Sequence, residues 1–259
     1  MEVLLAALAG LLIGSFLNVC IHRWPQDLSV VWPGSCCPQC GHAITWYDNV
    51  PGLSYLMLRA RCRHCLAAIP WRYPAVELFT ALCFAAAAVF HGFSPTAVKL
   101  AVFSALQIGM IFSDLEVRLL PDQFTLGGMY LGFAGSWLDP LPRGLFQGLV
   151  PIDNPRMASL LESLLAAAFA SGALWLTGYL YSVIRRREGL GFGDVKMIAM
   201  IAAFIGFAPT FLVIFLGCAG GAVTGIAYIL LTKKDPSTYE LPFGTFLGIA
   251  AIVVAFRAL

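Results

Sequence analysis

The chain has 259 residues, of which 59% are hydrophobic and 12% charged, and its mean hydropathy is +0.82. Soluble globular domains carry roughly 25% charged residues, so this composition excludes that class and indicates a protein of the membrane. A net charge of +2, with no basic stripe interleaved with aromatics, offers nucleic acid no footprint, and no nucleic-acid partner is expected.

Apolar runs with at most one charged residue each, near the ~20 residues that cross hydrocarbon, follow one another along the chain. They fall at about 3–21, 76–93, 95–113, 123–138, 158–184, 195–207, 210–231 and 243–258. The expectation is an all-α polytopic membrane protein, a bundle of about eight transmembrane helices. The first run begins with Glu2 rather than a basic residue and has no small-residue cleavage site, so residues 1–21 read as an anchor that stays. The third run carries Lys99, and the sixth is short. The sixth and seventh share a stretch of 36 uncharged residues from Met197 to Thr232, too long for one span; GFAP is a turn signal, which divides them at Pro209.

Basic residues orient this bundle. The loops at 22–74, 114–122, 185–196 and 232–242 hold 12 of the 16 Lys and Arg, whereas Lys99, Arg143, Arg156 and Arg257 fall on the other side. The positive-inside rule makes the first group cytoplasmic and puts both termini outside. The expected organisation is a first transmembrane helix at 1–21, a cytosolic cysteine domain at 22–74, and a bundle of the remaining helices at 75–259.

Within the long loop, Cys37 and Cys40 form one CxxC knuckle and Cys62 and Cys65 a second, with 21 residues between them. Four thiolates so spaced close a tetrahedron around zinc, and a lobe of this size has too small a core to be secure without such a staple. The expected domain is small, cytosolic and zinc-ribbon-like. Redox dithiols or disulfides are the alternative, but disulfides need an oxidising compartment and the charge count puts the loop in the cytosol. Cys36, His42 and His64 adjoin the knuckles as substitute ligands, while Cys20, Cys83 and Cys218 lie in apolar runs as small buried hydrophobes.

Two aspartates stand at the same membrane face. Asp194 ends GLGFGD at 189–194 and begins an apolar run, so its plain reading is a helix N-cap. That reading leaves Gly191 and Gly193 unexplained, whose lack of a side chain leaves room for a second chain beside the aspartate. Asp114 sits at the C-terminal end of the third helix, where its charge meets the negative end of the dipole and is misplaced unless it has a task. Two carboxylates that converge keep one proton between them, and such a pair supplies the base and the acid for peptide hydrolysis without a metal or covalent intermediate. A proton or cation relay through intramembrane acids stays open beside it.

These stretches resemble the type IV prepilin peptidases, also called prepilin leader peptidase/N-methyltransferases. The likeness runs in order through GSFLNVCIHRWP at 14–25, the double knuckle at 37–65, WRYPAVE at 71–77, DLEVRLLPD at 114–122 and GLGFGD at 189–194. The Gly191, Phe192, Gly193, Asp194 element is similar to that of the GxGD intramembrane aspartyl proteases. The resemblance implies that Asp114 and Asp194 are catalytic, with Gly191 and Gly193 forming the backbone beside them. Asp122, after Pro121, is expected to cap the fourth helix instead. Leu66 departs from the pattern where a glycine often follows the second knuckle, and Cys36 stands where a basic residue is expected. The segment at 139–156 is longer than the family's usual external loop.

The implied substrate is a type IV prepilin or a type II secretion pseudopilin, cut on the cytoplasmic side of the bacterial inner membrane to release a basic leader. The implied methyl donor for the new N-terminus is S-adenosylmethionine, for which the sequence holds no glycine fingerprint. Glu77, Glu116 and Glu188 are candidates to attract the leader. Three rivals remain: an aspartate-relay transporter, a membrane thiol oxidoreductase that uses the cysteines, and a pilus-assembly scaffold.

Overall fold

The computed structural model describes residues 1–142, 144–149, 152–186, 190–232 and 241–259. Arg143, Glu188 and Gly189, singled out above, lie outside them, as do Arg187, Lys233 and Lys234 of the charge count. Among the described residues the structure is helical: α1 (Glu2–Arg23), α2 (Leu53–Met57), α3 (Arg72–His91), α4 (Pro95–Val117), α5 (Asp122–Leu138), α6 (Leu145–Leu149), α7 (Pro155–Arg185), α8 (Phe192–Ile205), α9 (Phe207–Thr232) and α10 (Phe243–Ala258). Each of the eight expected apolar runs is a helix. Five of them, α1, α3, α4, α7 and α9, are long and apolar enough to cross a membrane. The chain divides into two compact units, Met1–Phe112 and Ser113–Leu259, the division falling inside α4.

In the first unit α1 packs on α3 through glycine. A Cβ built on Gly10 would lie 2.6 Å from Ala81 Cα, and one on Gly14 would lie 2.6 Å from Glu77 Cα. A Gly-x-x-x-Gly face lets two backbones approach where lipid supplies no hydrophobic drive for helix association. Asn18 secures the same seam, its Nδ2 donating to the Tyr73 carbonyl at 3.0 Å. The cysteine lobe lies between α1 and α3 in the chain and holds no strand, only the isolated bridges Cys36–Ala43 and Arg61–Ala68. Glu77 was a candidate for leader attraction, but it is 8% exposed and accepts the Gly52 N–H at 2.7 Å, tying the lobe to α3.

The second unit is built around α8. From Met197 to Ala203 its side chains are buried, most of them completely, because a helix apolar on every side is stable only when surrounded. Helices α5, α7, α9 and α10 supply the surround. At 14 residues α8 is about 21 Å long, shorter than the ~30 Å of hydrocarbon. Serines stitch the packing: Ser136 and Ser163 hydroxyls both donate to the Ala203 carbonyl, at 2.9 and 2.6 Å.

The division of the long apolar run differs from expectation. Gly206, at φ +80°, ends α8, and α9 starts at Phe207, so Pro209 falls inside the first turn of α9. A proline there displaces no intrahelical hydrogen bond, whereas the left-handed φ favours glycine.

At the far end of α8, Glu162 of α7 is 1% exposed and accepts backbone N–H groups from Phe146 at 2.7 Å, Gln147 at 3.3 Å and Phe207 at 3.3 Å. One carboxylate thus satisfies the first N–H groups of α6 and α9 together, which helix ends otherwise leave orphaned. Gly144 packs directly on that carboxyl.

Candidate active site

Helix N-termini shape the site in the second unit. Asp114, on the last turns of α4, is 6% exposed, and its Oδ2 accepts the Thr245 backbone N–H at 2.7 Å and the Thr245 hydroxyl at 2.9 Å. Thr245 is in the first turn of α10. The charge that looked misplaced at the end of its own helix therefore faces the positive end of another. Asp194 is in the first turn of α8, where Gly191 is the N-cap residue and the aspartate makes no side-chain cap bond. Among the described residues no hydrogen-bond donor reaches its carboxyl.

The glycines are occupied from inside the protein. A Cβ on Gly191 would lie 3.2 Å from Asp194 Oδ2, and one on Gly193 would lie 3.2 Å from the Leu120 side chain. A Cβ on Gly244 would meet Asp114 Oδ2 and Leu120, each at 3.2 Å. Leu120 thus wedges between the α8 and α10 N-termini, and any side chain at Gly193 or Gly244 would press on it.

Asp122 does not cap α5. It is that helix's first residue, and its Oδ1 accepts a 2.6 Å bond from Lys196 Nζ, which pins α5 to α8 beside Asp194. Proline at the N-cap puts Asp122 inside the helix, where its side chain points to the neighbouring lysine. Thr245 escaped the sequence reading; the start PFGT at 242–245 is its one local signal.

In the first unit, Cys37, Cys40, Cys62 and Cys65 bring their sulfurs within 4.8 Å of one another, and the Cys37 and Cys65 sulfurs are 3.8 Å apart. A tetrahedron with metal–sulfur arms of about 2.3 Å has edges of about 3.8 Å, so the set fits a four-coordinate metal. No cysteine is disulfide-linked. Each knuckle closes alike: the Cys37 N–H reaches the His42 carbonyl at 2.9 Å, and the Cys62 N–H reaches the Ala67 carbonyl at 2.8 Å. Backbone N–H groups of Cys65 and His64 draw the Cys62 thiol down to about 7, whereas desolvation and the Cys62, Cys40 and Cys37 thiols push Cys65 up to about 11. Beside the second knuckle Arg63 grips Asp48 with bonds of 2.7 and 2.6 Å, which holds the Asp48 carboxyl below its usual range. His42 and His64 lie ring against ring, tilted by 35°, and are not among the clustered ligands.

Residues 8–91 match the family model described as the Bacterial Peptidase A24 N-terminal domain, and residues 100–226 match the Type IV leader peptidase family. A Pseudomonas aeruginosa protein named prepilin leader peptidase/N-methyltransferase is 34% identical over 271 residues, covering 96% of this chain and 88% of its own. The chain belongs to the type IV leader peptidase family. A Myxococcus xanthus protein of the same name is 38% identical over 239 residues, 91% of this chain and 67% of that one. An Aeromonas salmonicida relative, again of that name, is 35% identical over 273 residues, 95% and 87% of the two chains. No solved structure matches. The resemblance read from the sequence is thereby confirmed. The leader-peptidase match runs through Asp114 and Asp194 and stops before α10, which carries Thr245.

Proposed function

We propose that this chain is a prepilin leader peptidase and N-methyltransferase of the bacterial inner membrane, an aspartyl endopeptidase whose catalytic pair is Asp114 and Asp194. What supports the reading is that both carboxylates stand at helix N-termini that share Leu120: Asp114 accepts from Thr245 at the start of α10, and Asp194 lies in the first turn of α8. One carboxylate takes a proton from water as the oxygen attacks the scissile carbonyl. The other, protonated, donates to the carbonyl oxygen and then helps the amine leave. With Oδ2 committed to Thr245, Asp114 presents Oδ1 to this chemistry. The two helix N-termini stabilise the negative charge that gathers on the tetrahedral intermediate.

The substrate class is the type IV prepilin or the type II secretion pseudopilin. Its apolar helix lies among the transmembrane helices, its basic leader stays in the cytosol, and the scissile bond falls at the cytoplasmic interface, the side to which the Lys and Arg distribution assigns both the cysteine lobe and the aspartates. Zinc on Cys37, Cys40, Cys62 and Cys65 would staple that lobe. S-adenosylmethionine would supply the electrophilic methyl group for the new N-terminal amine.

Incubating the purified enzyme with a prepilin and S-adenosylmethionine, and reading the intact mass, tests this directly. Leader loss followed by one added methyl group is expected. An unchanged substrate, with ion flux appearing in proteoliposomes, would replace the reading by an aspartate-relay transporter.

A further inference from the structure

A cavity of about 400 Å³ opens within the first unit, between α1, the cysteine lobe and the start of α3. Neither Asp114 nor Asp194 lines it, and its volume is that of a small-molecule site. Two buried polar groups on its wall bear on what it could hold: an amide oxygen without a donor and a carboxylate without a cation. Asn18 is 3% exposed; its Nδ2 is spent on the Tyr73 carbonyl, and its Oδ1 has no hydrogen-bond partner. A buried acceptor left unpaired is costly, so a ligand that brings a donor gains by meeting it. Glu77 accepts the Gly52 N–H and a hydrogen bond from the Ser15 hydroxyl, and among the described residues no Lys or Arg pairs with its carboxyl. A buried carboxylate with no cation is expensive, and a positively charged ligand answers it. Tyr55 and Tyr73 add aromatic surface to the same wall, suited to a flat base or to a cation over a ring.

We infer that this cavity is the S-adenosylmethionine site, with Asn18 Oδ1 accepting a hydrogen bond from the adenosyl portion and Glu77 facing the sulfonium. The inference rests on the methyl-transfer reading above and adds the place and residues for the donor. A compact cation joined to a flat, donor-bearing base is the ligand chemistry that an amide oxygen without a donor, a buried carboxylate without a cation and tyrosine rings in one cavity select.

Binding rather than turnover tests it. Calorimetric titration of the full-length, zinc-loaded enzyme uses sinefungin, which carries an ammonium where the donor has its sulfonium, and S-adenosylhomocysteine, which is neutral there. The wild type is expected to prefer sinefungin about tenfold, Glu77→Gln to lose that preference while keeping an acceptor for Gly52, and Asn18→Ala to weaken both ligands about tenfold. Photolabelling of the wild type with methyl-tritiated S-adenosylmethionine, followed by peptide mapping, needs no variant to fold; label within residues 15–77 is expected. Label confined to residues beyond Phe112, or a sinefungin preference untouched by Glu77→Gln, would overturn the site and leave the methyl-transfer reading standing. Failure of the wild type to bind any of the three ligands would overturn both.

Discussion

Replacing Glu162 with alanine strips the cap from two helices at once. The carboxylate accepts N–H groups of Phe146 at 2.7 Å and of Gln147 and Phe207 at 3.3 Å, and at 1% exposure water cannot take its place. Hydrogen bonds to a charged acceptor are worth about 1.5–3 kcal/mol each, the two long ones less. Against their sum stands the several kcal/mol of desolvation that the alanine variant no longer suffers. The net expectation is a loss of about 3 kcal/mol, and of about half that for Glu162→Gln, which keeps an acceptor but loses the charge. For a chain of this size about 3 kcal/mol lowers the melting temperature by roughly 6–12 °C. Tryptophan fluorescence during heating of the detergent-purified variants measures it. An alanine variant that melts within about 2 °C of wild type would refute the argument that this carboxylate holds α6 and α9.

The zinc assignment predicts about one zinc per chain by elemental analysis, and Cys62→Ser with Cys65→Ser should release it and lose methyl transfer before cleavage; metal-free protein with two disulfides would favour redox chemistry instead. Leu66 holds the position after the second knuckle at φ +59° and is 66% exposed, so Leu66→Gly relieves left-handed strain at little loss of packing. About 0.5–1 kcal/mol of added stability should appear as slower loss of zinc to a chelator, and faster loss would count against it. Gly14→Ala must push α1 off the Glu77 backbone and should cost about 1–3 kcal/mol, whereas Gly172→Ala, with nothing within 4 Å, should be neutral or slightly stabilising; equal melting temperatures for the two variants would contradict the close approach of α1 and α3.

The eight apolar helices were readable because each run is long and nearly free of charge, and the cysteine site because two CxxC knuckles state their own geometry. What the sequence hid was mostly contact across distance. Thr245 donates to Asp114 over a separation of 131 residues, and nothing near either position announces the other. Asp114 looks misplaced from its own helix alone; the N-terminus of α10 supplies the opposite field. Glu162 and Asn18 sit inside apolar stretches, where a polar side chain signals a specific partner without naming it. The five-residue helices α2 and α6 are too short to show a period. The break at Gly206 went to Pro209 because a proline reads as a breaker, while its tolerance in a first turn depends on where the helix starts.

The catalytic pair is the centre of the account, and conservative loss of each carboxyl tests it most directly. Asp114→Asn and Asp194→Asn should each leave a folded protein of unchanged zinc content, since the amide oxygen can still accept from Thr245 and Asp194 caps nothing. Neither purified variant should release the leader from a prepilin that the wild type processes to completion, because an amide supplies neither the base nor the acid. Substantial leader release by either variant, read by intact mass beside the wild type, would remove that aspartate from the reaction.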